Sequence, residues 1–262
     1  REGEYPILST CNFTAEDSGS ADNPVIYRAM ENERVVFKGS KSFASTEMKP
    51  VEDEAMLARI QEKVRDRIVV YDISKAGFTQ NEIKQNQNIG AGTGKLRGAE
   101  ANMLYVDGKE QTIAQWPNGD GVYAHWDAAE DGRTIHFTES APCRWTAAKD
   151  WWIGGYQDYD FRYSRVSGVS VDPEKRTLTA YNQNNNFQFI SYQSRRWKAF
   201  NLIEELDLPG EFYIDRDQMK LYFYPPQGMN NAKLELSVIG DNMIDITNSQ
   251  NITFRGITFS RT

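Results

Sequence analysis

Residues 243–259 read MIDITNSQNITFRGITF. Three short apolar stretches, Met243–Ile246, Asn251–Phe254 and Gly256–Phe259, are divided by small polar corners. Within each, Ile or Phe alternates with Asp or Thr, the period of a strand with one buried face. Three strands in about 20 residues is the cadence of one coil of a parallel β-helix, with Ile and Phe inward and Asn at a bend. One coil cannot bury its apolar face alone, and stacking of at least about three is needed. The expectation is that this sequence is the N-terminal part of a longer protein.

Upstream the text is nearly all β, but of another kind. Met103–Val106, the turn Asp107-Gly108 and Glu110–Ala114 predict a hairpin with a favoured turn. Asp131-Gly132 before Arg133–Phe137 reads the same way. Val166–Val171 with Thr177–Tyr181, and Phe212–Asp215 with Lys220–Tyr224, predict two more hairpins. Strands at intervals of about 10 residues argue for a sandwich-like antiparallel body. One helix is predicted over residues 45–67. Ser45 or Thr46 would cap it, Pro50 suits its first turn, and Met56, Leu57, Ile60 and Val64 recur at helical spacing. Near the N-terminus, Pro24–Tyr27 and Arg34–Lys38 read as strands around the turn-forming run Asp17–Asn23. The stretch Leu206–Glu211 turns into the Phe212–Tyr224 hairpin, and Pro225-Pro226 ends it. Proline cannot donate to a ladder, so this reads as a structural connector rather than a catalytic segment at Asp207 or Glu211.

Composition removes several classes. The net charge is −7 over 262 residues, without a Lys/Arg block, which disfavours nucleic acid. No apolar run reaches the roughly 18 residues of a membrane helix. The glycine-rich run Gly90–Lys95 fails as a phosphate loop, because Ile89 and Leu96 stand where Gly and Ser/Thr are required, and reads as a mobile loop. The two cysteines, Cys11 and Cys143, allow either one disulfide or two thiols, and neither they nor His125 and His136 have zinc-site spacing. The sequons at Asn12 and Asn251 lie in strand-like text and read as structural.

Several ordered motifs carry a resemblance: Asp17-Ser-Gly-Ser with Pro24–Ala29, Leu104-Tyr-Val-Asp-Gly-Lys with Ala114–Asn118, Trp152-Ile-Gly-Gly-Tyr156, Asn201–Tyr213, Leu221–Pro226 and Asn251–Phe259. Together they resemble the N-terminal half of secreted bacterial right-handed parallel β-helix proteins active on carbohydrates, glycoside hydrolases among them. The resemblance implies a mostly β chain: residues 1–43 starting the β-helix, 44–235 an inserted β-sandwich-like domain with one helix, and 236–262 the resuming first coil. It implies a secreted, periplasmic or cell-surface enzyme acting on polysaccharide or oligosaccharide, the insert shaping the sugar cleft and the rest of the β-helix its partner. A non-catalytic glycan-binding module or a structural surface protein is the alternative. The pattern departs at Phe212, where the family often has Trp, and at Gly155 and Gln157, where an aromatic is common. Catalytic carboxylates of such relatives lie in later coils, so none is carried over. No cofactor is implied beyond a calcium ion with no placed site.

Within the insert the carboxylates Asp158, Asp160, Glu204, Glu205, Asp207, Glu211 and Asp215 are too many to single out a catalytic pair, and read as solvated. The aromatic run Trp145–Tyr163 suits core packing or sugar stacking. His125 and His136 read as structural. The expected substrate-binding residues are Trp116 and Asn118, Trp126, Trp152, Tyr156 and Arg196, drawn from hairpin-end loops, from that run and from the polar loop 193–196; the polar loop 182–186 reads as a solvated turn.

Overall fold

A computed structural model describes residues 1–83, 102–156, 163–181, 189, 195–239 and 242–261. The chain opens with β1 (Gly3–Pro6), β2 (Cys11–Phe13), β3 (Val25–Arg28) and β4 (Val35–Lys38). β4 returns beside β1 in parallel, Gly3 opposite Val35 through Pro6 opposite Lys38. The Asp17–Asn23 run supplies the corner: the Asp17 carboxylate accepts the Thr14 amide at 2.7 Å, and Ser20 and Asn23 exchange backbone hydrogen bonds. At Gly39 the chain leaves this layer and enters β5 (Ser40–Ala44).

The middle of the chain is mostly antiparallel. β6 is Lys49–Pro50 and β7 is Val69–Asp72, paired with each other. Between them the predicted helix is shorter than its apolar period suggested. α1 covers only Glu54–Arg59, capped by Asp53, whose carboxylate accepts the Ala55 and Met56 amides. Ile60 breaks it in extended backbone, and a 3-10 segment follows over Glu62–Arg67. Ser45 and Thr46 lie instead in a separate 3-10 turn, and Pro50 sits at a sheet edge, where its missing N–H costs nothing. The spacing still placed Met56, Ile60 and Val64 in the core, because the chain packs one face down across the break.

β8 (Leu104–Val106) and β9 (Lys109–Glu110) form the expected hairpin, with Asp107 and Gly108 both at positive φ. β10 (Thr112–Ile113) does not continue it. It pairs in parallel with residues 211–212 instead, so the second arm ends early. There follow β11 (Gln115–Trp116), β12 (Ala124–His125), β13 (Ala129–Glu130), β14 (Thr134–His136), a 3-10 segment over Ala141–Ala147, β15 (Trp152–Tyr156), β16 (Ser164–Asp172), β17 (Thr177–Ala180) and β18 (Arg196–Phe200). β19 (Glu211–Asp215) and β20 (Lys220–Phe223) complete the middle. The hairpins expected at Asp131-Gly132, at Asp172–Lys175 and at Arg216–Gln218 are present as β13–β14, β16–β17 and β19–β20.

β21 (Lys233–Ser237) brings the chain back, antiparallel to β5 along its whole length and to β8 on its other side. β22 (Ile244–Ile246), β23 (Ile252–Arg255) and β24 (Ile257–Ser260) then pair in parallel with β2, β3 and β4 respectively. The polypeptide's two ends are therefore neighbours. Gly39 is the crossing point: its amide donates to Ser260 at 3.1 Å, while its carbonyl accepts Val238 at 2.7 Å. The boundaries expected at 43/44 and 235/236 fall inside β5 and β21, a few residues within the place where pairing partners change. Cys11, on β2, and Cys143 both carry free thiols.

The strand text Phe212-Tyr-Ile214 and Leu221-Tyr-Phe223 is apolar at every position because its sheet is covered on both sides. Phe212, Ile214, Leu221 and Phe223 join Phe43, Leu104, Leu234 and Leu236 of the β5–β21–β8–β9 sheet in one cluster. Tyr213 and Tyr222 face the other way, onto Met56, Ile60, Val64 and Ile68. A third cluster lies under the β11–β18–β15–β16–β17–β14–β13 sheet and is built on Trp126, Trp145, Trp151 and Trp197. Gly168 is required there, since a Cβ would collide with the Trp151 indole.

Ends and middle are joined by charge. Glu235 of β21 is fully buried; it accepts a hydrogen bond from Lys38 of β4 at 2.5 Å and forms an ion pair with Arg261, just past β24, at 2.9 Å. Lys233 lies 3.3 Å from it, and the Glu4 carboxylate of β1 completes the set with Lys38, Lys233 and Arg261 at 3.3, 2.6 and 3.2 Å. The Lys233 hydrogen bond, with help from the other two cations, holds the Glu4 pKa down to about 2. Replacing Glu235 by Ala leaves Lys38 and Arg261 without their buried counter-charge. Glu235→Ala is expected to lower the unfolding free energy by about 3–5 kcal/mol in urea titrations, against less than about 0.5 kcal/mol for Glu110→Ala at an exposed site.

Candidate functional site

The two faces of the β15–β16–β18 sheet have different jobs. Strand alternation sends Ile153, Val166, Trp197 and Ala199 into the tryptophan core. Gly155, also on that side, sits so close to β18 that a Cβ would collide with the Arg196 backbone. The opposite face presents three cross-strand rows: Trp152 with Phe200 and Ser167, Gly154 with Lys198 and Arg165, and Tyr156 with Arg196. Gly154 lets the Tyr163 hydroxyl and the Phe200 ring lie directly over the backbone, where any side chain would collide with them.

Aromatic and polar groups converge on this face. Trp152 and Phe200 stack at 5.9 Å with an 18° tilt. The Arg196 guanidinium lies 4.1 Å from the Tyr156 ring centre and 5.6 Å from that of Tyr123, and Tyr163 meets Tyr156 edge-on at 5.7 Å. Beside the stacked pair opens a cleft of about 260 Å³ lined by Trp152, Phe200, Arg165, Gln115, Asp120 and Glu110 among others. That is near the lower end of the roughly 300–1,000 Å³ usual for small-molecule sites. Lys198 donates to the Gly119 carbonyl at 2.7 Å, and burial pushes its pKa below the ordinary lysine value. Burial also raises the Tyr123 and Tyr163 phenols above theirs.

The carboxylates after β18 are not solvated, as their number had suggested. Glu204, Glu205 and Glu211 are all buried, and their partners are structural. Arg59 donates to Glu204 at 2.7 Å. Arg144 and the Trp145 indole both donate to Glu205 at 2.6 Å. Glu211 accepts the Asp207 and Leu208 amides at 3.0 and 2.9 Å, closing the Pro-Gly turn that enters β19. Asp207 accepts Asn118 at 2.8 Å and pairs with Lys63 at 3.2 Å. The stretch from Leu206 is thus a connector pinned by its own acids, as its turn chemistry indicated.

Of the residues expected to bind substrate, Trp152, Tyr156 and Arg196 are brought together on one face. Trp126 is instead packed in the core against Phe189, Trp116 packs on Trp145 and Trp197, and Asn118 is held by Asp207. Burial of Trp126, at 1% exposure, leaves it no ring face to offer a ligand. Tyr123, Phe200, Arg165 and Lys198 were not singled out from sequence. The signal for the last three was their alternation with core residues in β16 and β18. Residues 84–101, which include the Gly90–Lys95 run, and Asp158, Tyr159, Asp160, Phe161, Asn182–Asn186 and Gln193 lie outside the described residues. His136 pairs with Glu130 at 2.5 Å in a second, hydroxyl-lined groove with Thr134, Thr177 and Thr179. Among the described residues no group of three His, Cys, Asp or Glu side chains is placed to hold a metal ion, and no helix is long and apolar enough to cross a membrane.

No family model matches the sequence, and no curated protein does. The fold is similar to that of a solved structure named "Glycoside hydrolase". The match has a TM-score of 0.73 at 19% identity and covers all of this chain. This chain spans 42% of that one's length. At this identity the likeness is one of fold.

The buried acids make stability depend on pH. Burial raises Glu205 and Glu211 to about 7 each, against 4.5 unperturbed. Between about pH 4.5 and 7 the folded chain therefore holds more protons than the unfolded one, and stability falls as pH rises through that window. The thermal unfolding midpoint should drop between pH 5 and 8. Glu205→Gln and Glu211→Gln should each flatten the slope, removing a pH-dependent contribution of at most about 3 kcal/mol. A midpoint that rises across the window would contradict this.

Proposed function

We propose that the chain is the N-terminal part of a secreted or cell-surface carbohydrate-active enzyme, a glycoside hydrolase. Residues 1–43 and 236–262 are the first turns of a right-handed parallel β-helix, and residues 44–235 are a sandwich-like insert that shapes one wall of the sugar cleft. The observation that carries the reading is the fold likeness, over all of this chain and 42% of the other, to the solved structure named "Glycoside hydrolase". Two features support it. β1, β4 and β24 stack in parallel, as do β2 with β22 and β3 with β23, the succession that a coil makes when it climbs past itself. The half-buried Phe200 and Tyr156, with Trp152 buried behind Phe200, offer aromatic area to the apolar sides of sugars beside hydrogen-bonding Gln115 and Arg165.

The alternative, that this region is a glycan-binding module without chemistry of its own, draws on the buried acids. Glu204, Glu205 and Glu211 are held by structural partners and leave no obvious acid–base pair among them. On the proposed reading the catalytic carboxylates belong to later turns of the β-helix.

The test compares residues 1–262 with a longer chain carrying further turns, on a panel of aryl glycosides and polysaccharides. Residues 1–262 are expected to show no turnover, and the longer chain to hydrolyse at least one substrate. Hydrolysis by residues 1–262 would move the active site into this region. Glycan binding by both chains with turnover by neither would favour the binding module.

A further inference from the structure

The sheet that carries the cleft beside Phe200 has a second concave region, on β13, β14, β16 and β17. Leu178 and Ala180 of β17 and Ile135 of β14 point into the tryptophan core. Alternation therefore sends Thr177, Thr179, Thr134 and His136 to the opposite face. Register aligns them in two cross-strand rows, Thr134 with Thr179 and Ser170, and His136 with Thr177 and Asp172. The groove they line holds about 550 Å³, inside the roughly 300–1,000 Å³ usual for small-molecule sites. Thr177 is only 9% exposed and lines this groove, and among the described residues its hydroxyl has no hydrogen-bond partner. A hydroxyl left unanswered at that depth costs free energy, which a ligand hydroxyl recovers. One step past β17, the Tyr181 amide donates to the Ser167 carbonyl at 2.8 Å, so the ladder and its alternation continue. The Tyr181 ring thus falls on the face of Thr177 and Thr179. It is 44% exposed and, among the described residues, packs on no other aromatic ring.

The groups of the groove select a class of ligand. Glu130 and Asp172 repel a phosphate or a carboxylate. Each acid already has its own partner, His136 at 2.5 Å from Glu130 and Lys175 at 3.5 Å from Asp172, so neither is left to call for a cation. Among the described residues no third His, Cys, Asp or Glu joins them to hold a metal ion. What the groove offers is uncharged: the hydroxyls of Thr177 and Ser170, and those of Thr134 and Thr179, which lie 3.2 Å apart and share one hydrogen bond between them. Each hydroxyl can donate once and accept twice, the same repertoire as a sugar hydroxyl. We propose that this groove is a second glycan site, which takes a neutral sugar whose hydroxyls meet Thr177, Thr179 and Ser170 while its apolar side lies on the Tyr181 ring. The inference rests on the carbohydrate reading and adds to it a binding site apart from the cleft beside Phe200.

The experiment is isothermal titration of residues 1–262 with neutral β-1,4-linked xylo-, manno- and galacto-oligosaccharides, and with oligogalacturonate for comparison, at low and high sodium chloride. At least one neutral oligosaccharide is expected to bind, with the same affinity at both salt concentrations. Tyr181→Ala should weaken that binding about 10-fold, while Tyr181→Phe, which keeps the ring, should retain it. Thr177→Val should weaken it about 5-fold, and Thr177→Ser, which keeps the hydroxyl, should restore it. Circular dichroism should be unchanged throughout. Lys75→Gln, at an exposed cation elsewhere, should leave binding unaltered. Neutral-sugar binding that either Tyr181→Ala or Thr177→Val leaves intact, or binding confined to the uronate, would overturn the groove inference and leave the carbohydrate reading standing. Absence of binding by every oligosaccharide would overturn it too. Turnover by the longer chain then decides separately whether the carbohydrate reading survives.

Discussion

A fully buried Glu235 constrains the whole molecule. A carboxylate in that position is tolerable only when its counter-charges are brought to it, and they come from distant parts of the chain: Lys38 from β4 and Arg261 from beyond β24. Glu4 of β1 neutralises the same cations from the other side. The cluster can form only if the first strand, the fourth, the return strand and the last strand are all in place. It therefore reports on the closure of the chain in a way that no single ladder does. Gly39 marks the same spot in backbone hydrogen bonds, since one of its groups serves the parallel layer and the other serves the stem of the middle region.

From that junction the rest follows by layering. β5 and β21 pair with each other and seed a four-stranded sheet, which packs onto one side of the β10–β19–β20–β7–β6 sheet. α1 and the 3-10 segment after it cover the other side. The third sheet buries Trp126, Trp145, Trp151 and Trp197 on one face, and Trp152 is buried against Phe200 on the other. Its other face carries the stacked Trp152 and Phe200, the Tyr156–Arg196 pair and the cleft beside them. Separation of core from candidate site is thus a consequence of strand alternation: Ile153 and Trp197 go inward, while their sequence neighbours Trp152, Arg196 and Lys198 go outward.

The candidate site was only partly legible beforehand. Aromatic density in Trp145–Tyr163 pointed to the right region, and Tyr156 and Arg196 meet there. Composition could not say which tryptophans faced inward, because Trp116, Trp126 and Trp152 all lie at strand ends: Trp116 ends β11, Trp126 follows β12 and Trp152 begins β15. Burial of the acids at 204, 205 and 211 was hidden for a related reason. Arg59, Arg144 and Trp145, the partners of Glu204 and Glu205, lie some 60 or more residues away, while Glu211 is held by the nearby Asp207 and Leu208 amides, and a run of acids looks solvated when read alone.

Local chemistry in the sequence was enough to determine the hairpins, since Asp-Gly pairs at positive φ and Asp side chains accepting amides two and three residues on act within a few residues. It also determined the three terminal strands, whose period and polar corners are self-contained. Tertiary structure alone decided that β24 lies against β4, that β10 turns from its hairpin to join β19 in parallel, and that the helix stops at Arg59. Each of those outcomes depends on which distant surface offers unpaired backbone groups or an apolar face, and neither is written in the residues nearby.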